Sequence, residues 1–228
     1  MVSGKDLLVF DMDGVLVEVT ESYREAIVQT VEHFTGKRIE RSLIQDYKNQ
    51  GGWNNDWSLS QKIASDLGVE IPYQTVVDYF NKIFFGENND GLIMREVWIG
   101  REGLLERLAR RFQLAVFTGR LRFEARITLD RFTPHLKFDP LIGADDVVKG
   151  KPDPEGLLKI AAAHAGREMW YVGDTVDDAR SSAAAGVPFI GIVSAANPTR
   201  ESLTKLMEEI GAAAVLEDIN QLESVLCP

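Results

Sequence analysis

The sequence predicts an α/β fold: a Rossmann-like parallel sheet core with helices on both faces, carrying an inserted all-α helical-bundle cap. Three observations predict it. Beyond Val97, short apolar runs alternate with amphipathic stretches, the pattern of strand and crossover helix in a parallel sheet. One isolated apolar run, Leu7–Phe10, stands near the start of the chain and belongs to the same sheet. Between these two regions, Thr20 to about Phe85 shows helical spacing only. The chain therefore divides into an α/β core, residues 1–17 and 97–228, and a helical cap, residues 18–96, inserted behind the first strand.

In the cap, Ser22-x-x-Glu25 has the form of a capping box, and Tyr23, Ile27, Val31 and Phe34 follow at helical spacing. Leu43 with Tyr47, then Leu59, Ile63 and Leu67, continue the pattern. Val76, Val77, Phe80, Ile83 and Phe84 form a last stripe, giving roughly four helices. In the core, a helix over 102–111 precedes a strand at Leu114–Phe117. Then come a helix over 123–132, a strand at Leu141–Ile142 and a helix over 154–164. A strand at Met169–Val172, a helix over 176–185 and a strand over 188–193 follow. A helix over 199–210, a strand at Ala214–Leu216 and a helix over 219–226 close the pattern. Phe80, Phe84, Met94 and Trp98 are expected in the core.

Composition narrows the function class. At 228 residues the chain can bury a full core, and 45% hydrophobic with 26% charged residues is ordinary for a globular protein. A formal net charge of −10 argues against nucleic acid or an anionic membrane as the main partner. The single Cys227 excludes an intramolecular disulfide and a thiolate metal cluster. Leu7–Phe10 is too short for a signal peptide, and no window approaches membrane-spanning length. A cytoplasmic enzyme or binding protein fits these bounds.

In an open parallel sheet, ligands bind beyond the carboxyl ends of the strands. The first strand is followed by Asp11-Met12-Asp13-Gly14, and Leu114–Phe117 by Thr118-Gly119-Arg120. Gly150-Lys151-Pro152-Asp153-Pro154 leads into a helix, and Met169–Val172 is followed by Gly173-Asp174-Thr175-Val176-Asp177-Asp178. Two carboxylates one residue apart at the tip of a buried strand are costly unless a cation neutralises them or one keeps its proton. Taken singly, each segment has a plain reading as a turn, a loop end, a surface lysine or a helix cap. Together they supply an anionic nucleophile, metal ligands, a cation and donors for phosphate oxygens, an inventory suited to phosphoryl transfer.

The ordered set DMDGVL, TGR, GKPDP and GDTVDD resembles the four motifs of the haloacid dehalogenase-like hydrolase superfamily, and ARSSAAAGVPFIGI resembles the helix and strand after the fourth. The likeness covers essentially the whole chain, including a helical cap between the first and second motifs. It implies that Asp11 is a nucleophile forming an aspartyl-phosphate and that Asp13 is the general acid and base. Mg²⁺ would be held by Asp11, the Asp13 carbonyl and Asp174, with Asp178 supporting it through water or pairing with Lys151. Asp177 competes for that last place, but spacing from Asp174 favours Asp178. Thr118 and Gly119, with the amides of Met12 and Asp13, would bind phosphoryl oxygens, and Lys151 would balance the charge.

The dehalogenase branch lacks the second aspartate, so Asp13 turns the expectation toward phosphate esters. The second motif departs from the common Thr-Asn or Ser-Asn, and Arg120 is an added cation. It either touches the phosphate or another substrate anion, or is a surface arginine opening the next helix. Substrate choice falls to the cap, where Gln50-Gly51-Gly52-Trp53-Asn54-Asn55-Asp56-Trp57 is unusual. Trp53, Asn54 and Asn55 either contact a polar leaving group or belong to a helix–helix corner in which Asp56 caps the next helix. His33, His135 and His164 are assigned no part in catalysis. The expected activity is Mg²⁺-dependent hydrolysis of a small phosphorylated metabolite. The alternatives are a β-phosphoglucomutase-like phosphotransferase and, from another class, a non-catalytic binding protein with this fold. Monomer and homodimer both remain open.

Overall fold

Leu7–Phe10 form β1 with every side chain buried, as a strand covered on both faces requires. The chain then passes through β2 (Val17–Glu18) into four helices, α1 (Tyr23–Thr35), α2 (Arg41–Gln50), α3 (Asp56–Asp66) and α4 (Tyr73–Phe85), and returns through β3 (Val97–Trp98). The remainder alternates as α5 (Leu104–Arg111), β4 (Gln113–Phe117), α6 (Arg122–Phe132), β5 (Leu141–Ile142) and α7 (Glu155–Ala163). It continues as β6 (Met169–Gly173), α8 (Val176–Ala185), β7 (Phe189–Ile192), α9 (Arg200–Ile210), β8 (Ala214–Leu216) and α10 (Leu222–Leu226). This computed structural model describes residues 5–53 and 55–227, with only the backbone at Asn49. It falls into two units, Met1–Val17 with Trp98–Pro228, and Glu18–Val97. β2 and β3 form a separate two-stranded ladder.

The first unit is built on a six-stranded parallel sheet of order β5-β4-β1-β6-β7-β8. Leu7–Phe10 pair with Gln113–Val116 on one side and Met169–Val172 on the other. After β5 the chain returns to the far side of β1, so strand order reverses beside β1 and a crevice opens at the carboxyl ends. Asp11, Thr118 and Asp174 each follow directly on a strand of this central trio.

One face of the sheet presents Leu7, Val9, Ala115, Phe117 and Tyr171 to Leu157 and Ile160 of α7, Val176 and Ala179 of α8, and Leu203 and Met207 of α9. Each buried leucine, isoleucine, valine and methionine among them stabilises the fold by about 1.5–3 kcal/mol. α7 packs most closely where it has no side chain: a Cβ on Gly156 would lie 2.2 Å from Phe117 Cε2. That contact seats the helix whose preceding loop carries Lys151.

In the second unit α1, α3 and α4 pack against one another. Their shared core is aromatic, with Tyr23 and Phe84 ring centroids 4.1 Å apart and Phe80 beside both. The expected Phe80/Phe84 stripe is buried, whereas Met94 is 45% exposed and lies outside the core. α2 buries Ile44, with Leu43 only half-buried. The Ser22–Glu25 capping box does not form. Ser22 Oγ donates back to the Val19 carbonyl at 3.3 Å, and the Glu25 carboxylate is taken by Arg38 at 2.9 Å and Arg41 at 2.8 Å. Burial raises the Glu25 pKa, but hydrogen bonds from Arg41, Gln29 and Arg38 outweigh it and hold the pKa at about 2. Among the described residues no helix is long and apolar enough to cross a membrane.

Candidate active site

The loop after β1 is fixed by its backbone. Asp11 N–H extends the ladder to the Val172 carbonyl at 2.8 Å, and the Met12 carbonyl accepts from Val15, Leu16 and Val17. Gly14 turns the chain at φ +74, a conformation that favours glycine, and a Cβ there would stand 2.0 Å from Asp174 Oδ2. The absence of a side chain thus lets the Asp174 carboxylate lie against the Asp11–Gly14 loop. Met12 is fully buried, and Asp11 is 6% exposed.

Lys151 is buried among anions. Its Nζ lies 3.0 Å from Asp11 Oδ1 and 2.6 Å from Asp178 Oδ1, and donates to the Tyr171 hydroxyl at 3.1 Å. The Tyr171 hydroxyl donates to Asp178 Oδ1 at 2.6 Å. The other Asp178 oxygen accepts from the Thr175 N–H at 3.0 Å and its hydroxyl at 2.6 Å. Thr175 Oγ1 accepts in turn from Asp178 N–H, so motif and capping box coincide at the start of α8. Gly173 makes room: a Cβ there would meet Asp178 Cβ at 2.4 Å. Asp178 therefore takes the Lys151-pairing place expected of it, and the buried Asp177 lies 4.0 Å from the Arg180 guanidinium.

The electrostatics follow from burial and these pairs. Burial raises Asp11 to about 7, with Lys151 pulling down and Asp178 and Asp13 pushing up. Burial would lower Lys151, but Asp11 and Asp178 outweigh it and raise its pKa. Asp178 is raised by burial yet held low on balance by Lys151, Thr175 and Tyr171. Burial, reinforced by Asp178 and Asp11, pushes Tyr171 well above the ordinary phenol value.

Carboxylate oxygens of Asp11, Asp174 and Asp178 lie within 4.8 Å of one another. Three carboxylates and one ammonium leave two negative charges if all are ionised, and the donors are all oxygen. That set fits a hard divalent cation, with Asp11 and Asp174 as the direct donors, because both Asp178 oxygens already serve Lys151, Tyr171 and Thr175.

Thr118 is 2% exposed and its Oγ1 accepts from the Arg120 N–H at 3.2 Å, while Gly119 is exposed between them. Arg120 is not the surface arginine that one reading allowed. Its side chain is 1% exposed and forms an ion pair with Asp13, whose side chain is 32% exposed. Among the cap residues, Asn55, not Asp56, is the cap of α3: its Oδ1 accepts from the Ser58 N–H at 2.8 Å and its Nδ2 donates to the Tyr73 hydroxyl at 3.3 Å. Asp56 pairs with Lys48 at 2.8 Å. Trp53 packs edge-on to Tyr47, ring centroids 5.8 Å apart. Asn54 lies outside the described residues. Sequence reasoning missed Tyr171; its signal was a tyrosine in an otherwise apolar strand, seven residues before Asp178.

This arrangement has relatives. Over 233 residues the chain is 33% identical to imidazoleglycerol-phosphate dehydratase of Phytophthora nicotianae, covering 95% of this chain and 51% of that protein. It thus spans about half that relative's length. It is 26% identical over 183 residues to phosphoglycolate phosphatase of Cereibacter sphaeroides, covering 80% of this chain and 82% of the other. The crystal structure of a predicted phosphoglycolate phosphatase from Haemophilus somnus shares the fold at a TM-score of 0.77 and 18% identity, covering 99% and 100% of the two chains. The model of the haloacid dehalogenase-like hydrolases matches residues 5–186, a span that holds Asp11, Thr118, Lys151, Asp174 and Asp178. With that match across all four motifs, the chain belongs to the haloacid dehalogenase-like hydrolase family.

Proposed function

We propose that this protein is a Mg²⁺-dependent phosphatase that hydrolyses a small phosphorylated metabolite through an aspartyl-phosphate on Asp11. The observation that carries the reading is the buried Asp11–Lys151–Asp178 chain, with Asp174 completing an all-oxygen group beside it. Asp11 and Asp174 would hold Mg²⁺, which when bound supplies charge neutralisation of the phosphoryl oxygens. Lys151 offsets charge on the nucleophile and the transferring group, and Thr118 with the Gly119 amide receives phosphoryl oxygens. An Asp11 oxygen forms a bond to phosphorus as the ester P–O bond breaks, and the departing oxygen takes a proton from Asp13. Asp13 then accepts a proton from water, whose oxygen attacks phosphorus and returns Asp11 as a carboxylate with release of inorganic phosphate. The cytoplasm is the compartment proposed for this activity.

The test is phosphate release from a panel of phosphomonoesters with Mg²⁺, with chelator, and with Asp11→Asn. Imidazole-bearing phosphomonoesters join the panel because one relative is named for an imidazole-bearing phosphate. Expected are metal-dependent release and its loss in Asp11→Asn. Release by Asp11→Asn at the wild-type rate would overturn the nucleophile, and isomerisation of a sugar phosphate without phosphate release would favour the mutase alternative.

A further inference from the structure

We infer that Arg120 is a positioning residue for the acid/base step: a buried guanidinium that holds the Asp13 carboxyl in one orientation. The inference rests on the phosphatase reading above. Asp13 occupies a tight backbone loop, but its side chain is 32% exposed, so packing alone does not fix its rotamer. What fixes it is a fork on one oxygen. Arg120 Nε donates to Asp13 Oδ1 at 2.7 Å, and Nη2 lies 2.5 Å from the same atom. With both groups on Oδ1, Oδ2 is the oxygen that exchanges a proton with the ester oxygen and with water.

The fork is itself anchored. Arg120 Nη1 donates to Thr128 Oγ1 at 2.8 Å, and Thr128 is a 1%-exposed residue of α6. The Arg120 N–H donates to Thr118 Oγ1, and its carbonyl accepts from the Ala144 N–H at 2.8 Å. A guanidinium does not deprotonate and is planar, so it sets a carboxyl in a definite plane. A lysine would offer a point charge on a flexible stem. The Thr118 and Asp13 side chains are thereby tied to one residue, and α6 anchors that residue through Thr128.

The reading separates from a merely structural role by leaving-group dependence. Departure of an alkoxide needs a proton from Asp13; departure of a nitrophenolate does not. The experiment compares kcat/KM of wild type, Arg120→Met and Thr128→Val on an alkyl phosphate and on 4-nitrophenyl phosphate. General acid–base catalysis is worth about 10²–10⁴-fold. Arg120→Met should therefore lower the alkyl-to-aryl ratio of kcat/KM by at least about tenfold, and kcat on the aryl ester should fall more than its kcat/KM, because hydrolysis of the aspartyl-phosphate still needs Asp13 as base. Thr128→Val, close in shape and retaining Arg120, should move the ratio the same way by less. It keeps the test decisive if Arg120→Met does not fold. Equal losses on both esters, or an unchanged ratio in a folded variant, would overturn the positioning role. Failure of the phosphatase reading is distinguishable, since wild type would then release no phosphate from either ester.

Discussion

Lys151 is the residue on which the site's electrostatics turn, and Lys151→Met exposes how much. Its side chain is 3% exposed, and the partners Asp11 and Asp178 are 8% and 0% exposed at 3.0 and 2.6 Å. Methionine fills most of the volume but leaves two carboxylates buried without their shared cation. Breaking one partner out of a buried pair costs roughly 3–5 kcal/mol. With a urea slope of about 2 kcal/mol per M, the unfolding midpoint should fall by roughly 2 M in chelator at neutral pH, read by circular dichroism. Mg²⁺ should raise the midpoint more for the variant than for wild type, because binding to the folded state alone is stabilising and the variant's site carries one more negative charge. Turnover should be lost even where Mg²⁺ restores the fold. A midpoint within about 0.5 M of wild type in chelator would refute the description of Lys151 as the neutralising member of the group.

Glu25 supplies a pH prediction for the second unit. Its carboxyl lies at about 2 against an ordinary 4.5, a gap worth roughly 3 kcal/mol. Exposure of Arg38 (54%) and Arg41 (36%) reduces this to about 1.5–2 kcal/mol. Because the folded value is depressed, this stability is fully present above pH 4.5 and disappears as pH falls toward 2. Glu25→Gln should thus be less stable than wild type in urea at pH 7 and nearly equal near pH 2, whereas an equal deficit at both would assign the effect to packing. Gly156→Ala should destabilise by about 1–3 kcal/mol through overpacking against Phe117, lowering the melting temperature by several degrees, and an unchanged melting curve would show that α7 sits less tightly than described.

The fold was legible because period and order are local properties. An unbroken apolar run reads as a strand covered on both faces, and β1 is one of the two innermost strands of the sheet. Boundaries agreed to within a residue or two where glycines and prolines punctuate the chain. What sequence did not carry was partnership. Ser22-x-x-Glu25 has the spacing of a capping box, yet Arg38 and Arg41, 13 and 16 residues beyond Glu25, compete for that carboxylate and win with two charge-assisted bonds. Asn55 and Asp56 are equally good caps on paper. Only the backbone path decides that Asn55 reaches the Ser58 N–H. Tyr171 is not marked as a site residue by its sequence, because nothing local says its hydroxyl meets Asp178 seven residues on, across the turn into α8. Met94 was misplaced since apolar character does not forbid exposure.

The two aspartates that opened the site one residue apart end in different surroundings, as the proposed division between nucleophile and proton carrier requires. Strand alternation sends neighbours to opposite sides. Residues two apart return to the same side, so Asp11 and Asp13 would ordinarily be equivalent and mutually repelling. The turn after Asp11, held by three N–H groups on the Met12 carbonyl and by Gly14 at positive φ, breaks that equivalence. Asp11 stays at 8% side-chain exposure against a lysine, whereas Asp13 emerges to 32% against an arginine. Each carboxylate has its own cation, and each cation has its own anchor: Asp178 and Tyr171 for Lys151, Thr128 for Arg120. A nucleophile needs a water-poor site with its charge offset, and a proton carrier needs access to the leaving group and to water. The repulsion between the pair is thus relieved twice over, by separation into two environments and by two separately fixed cations.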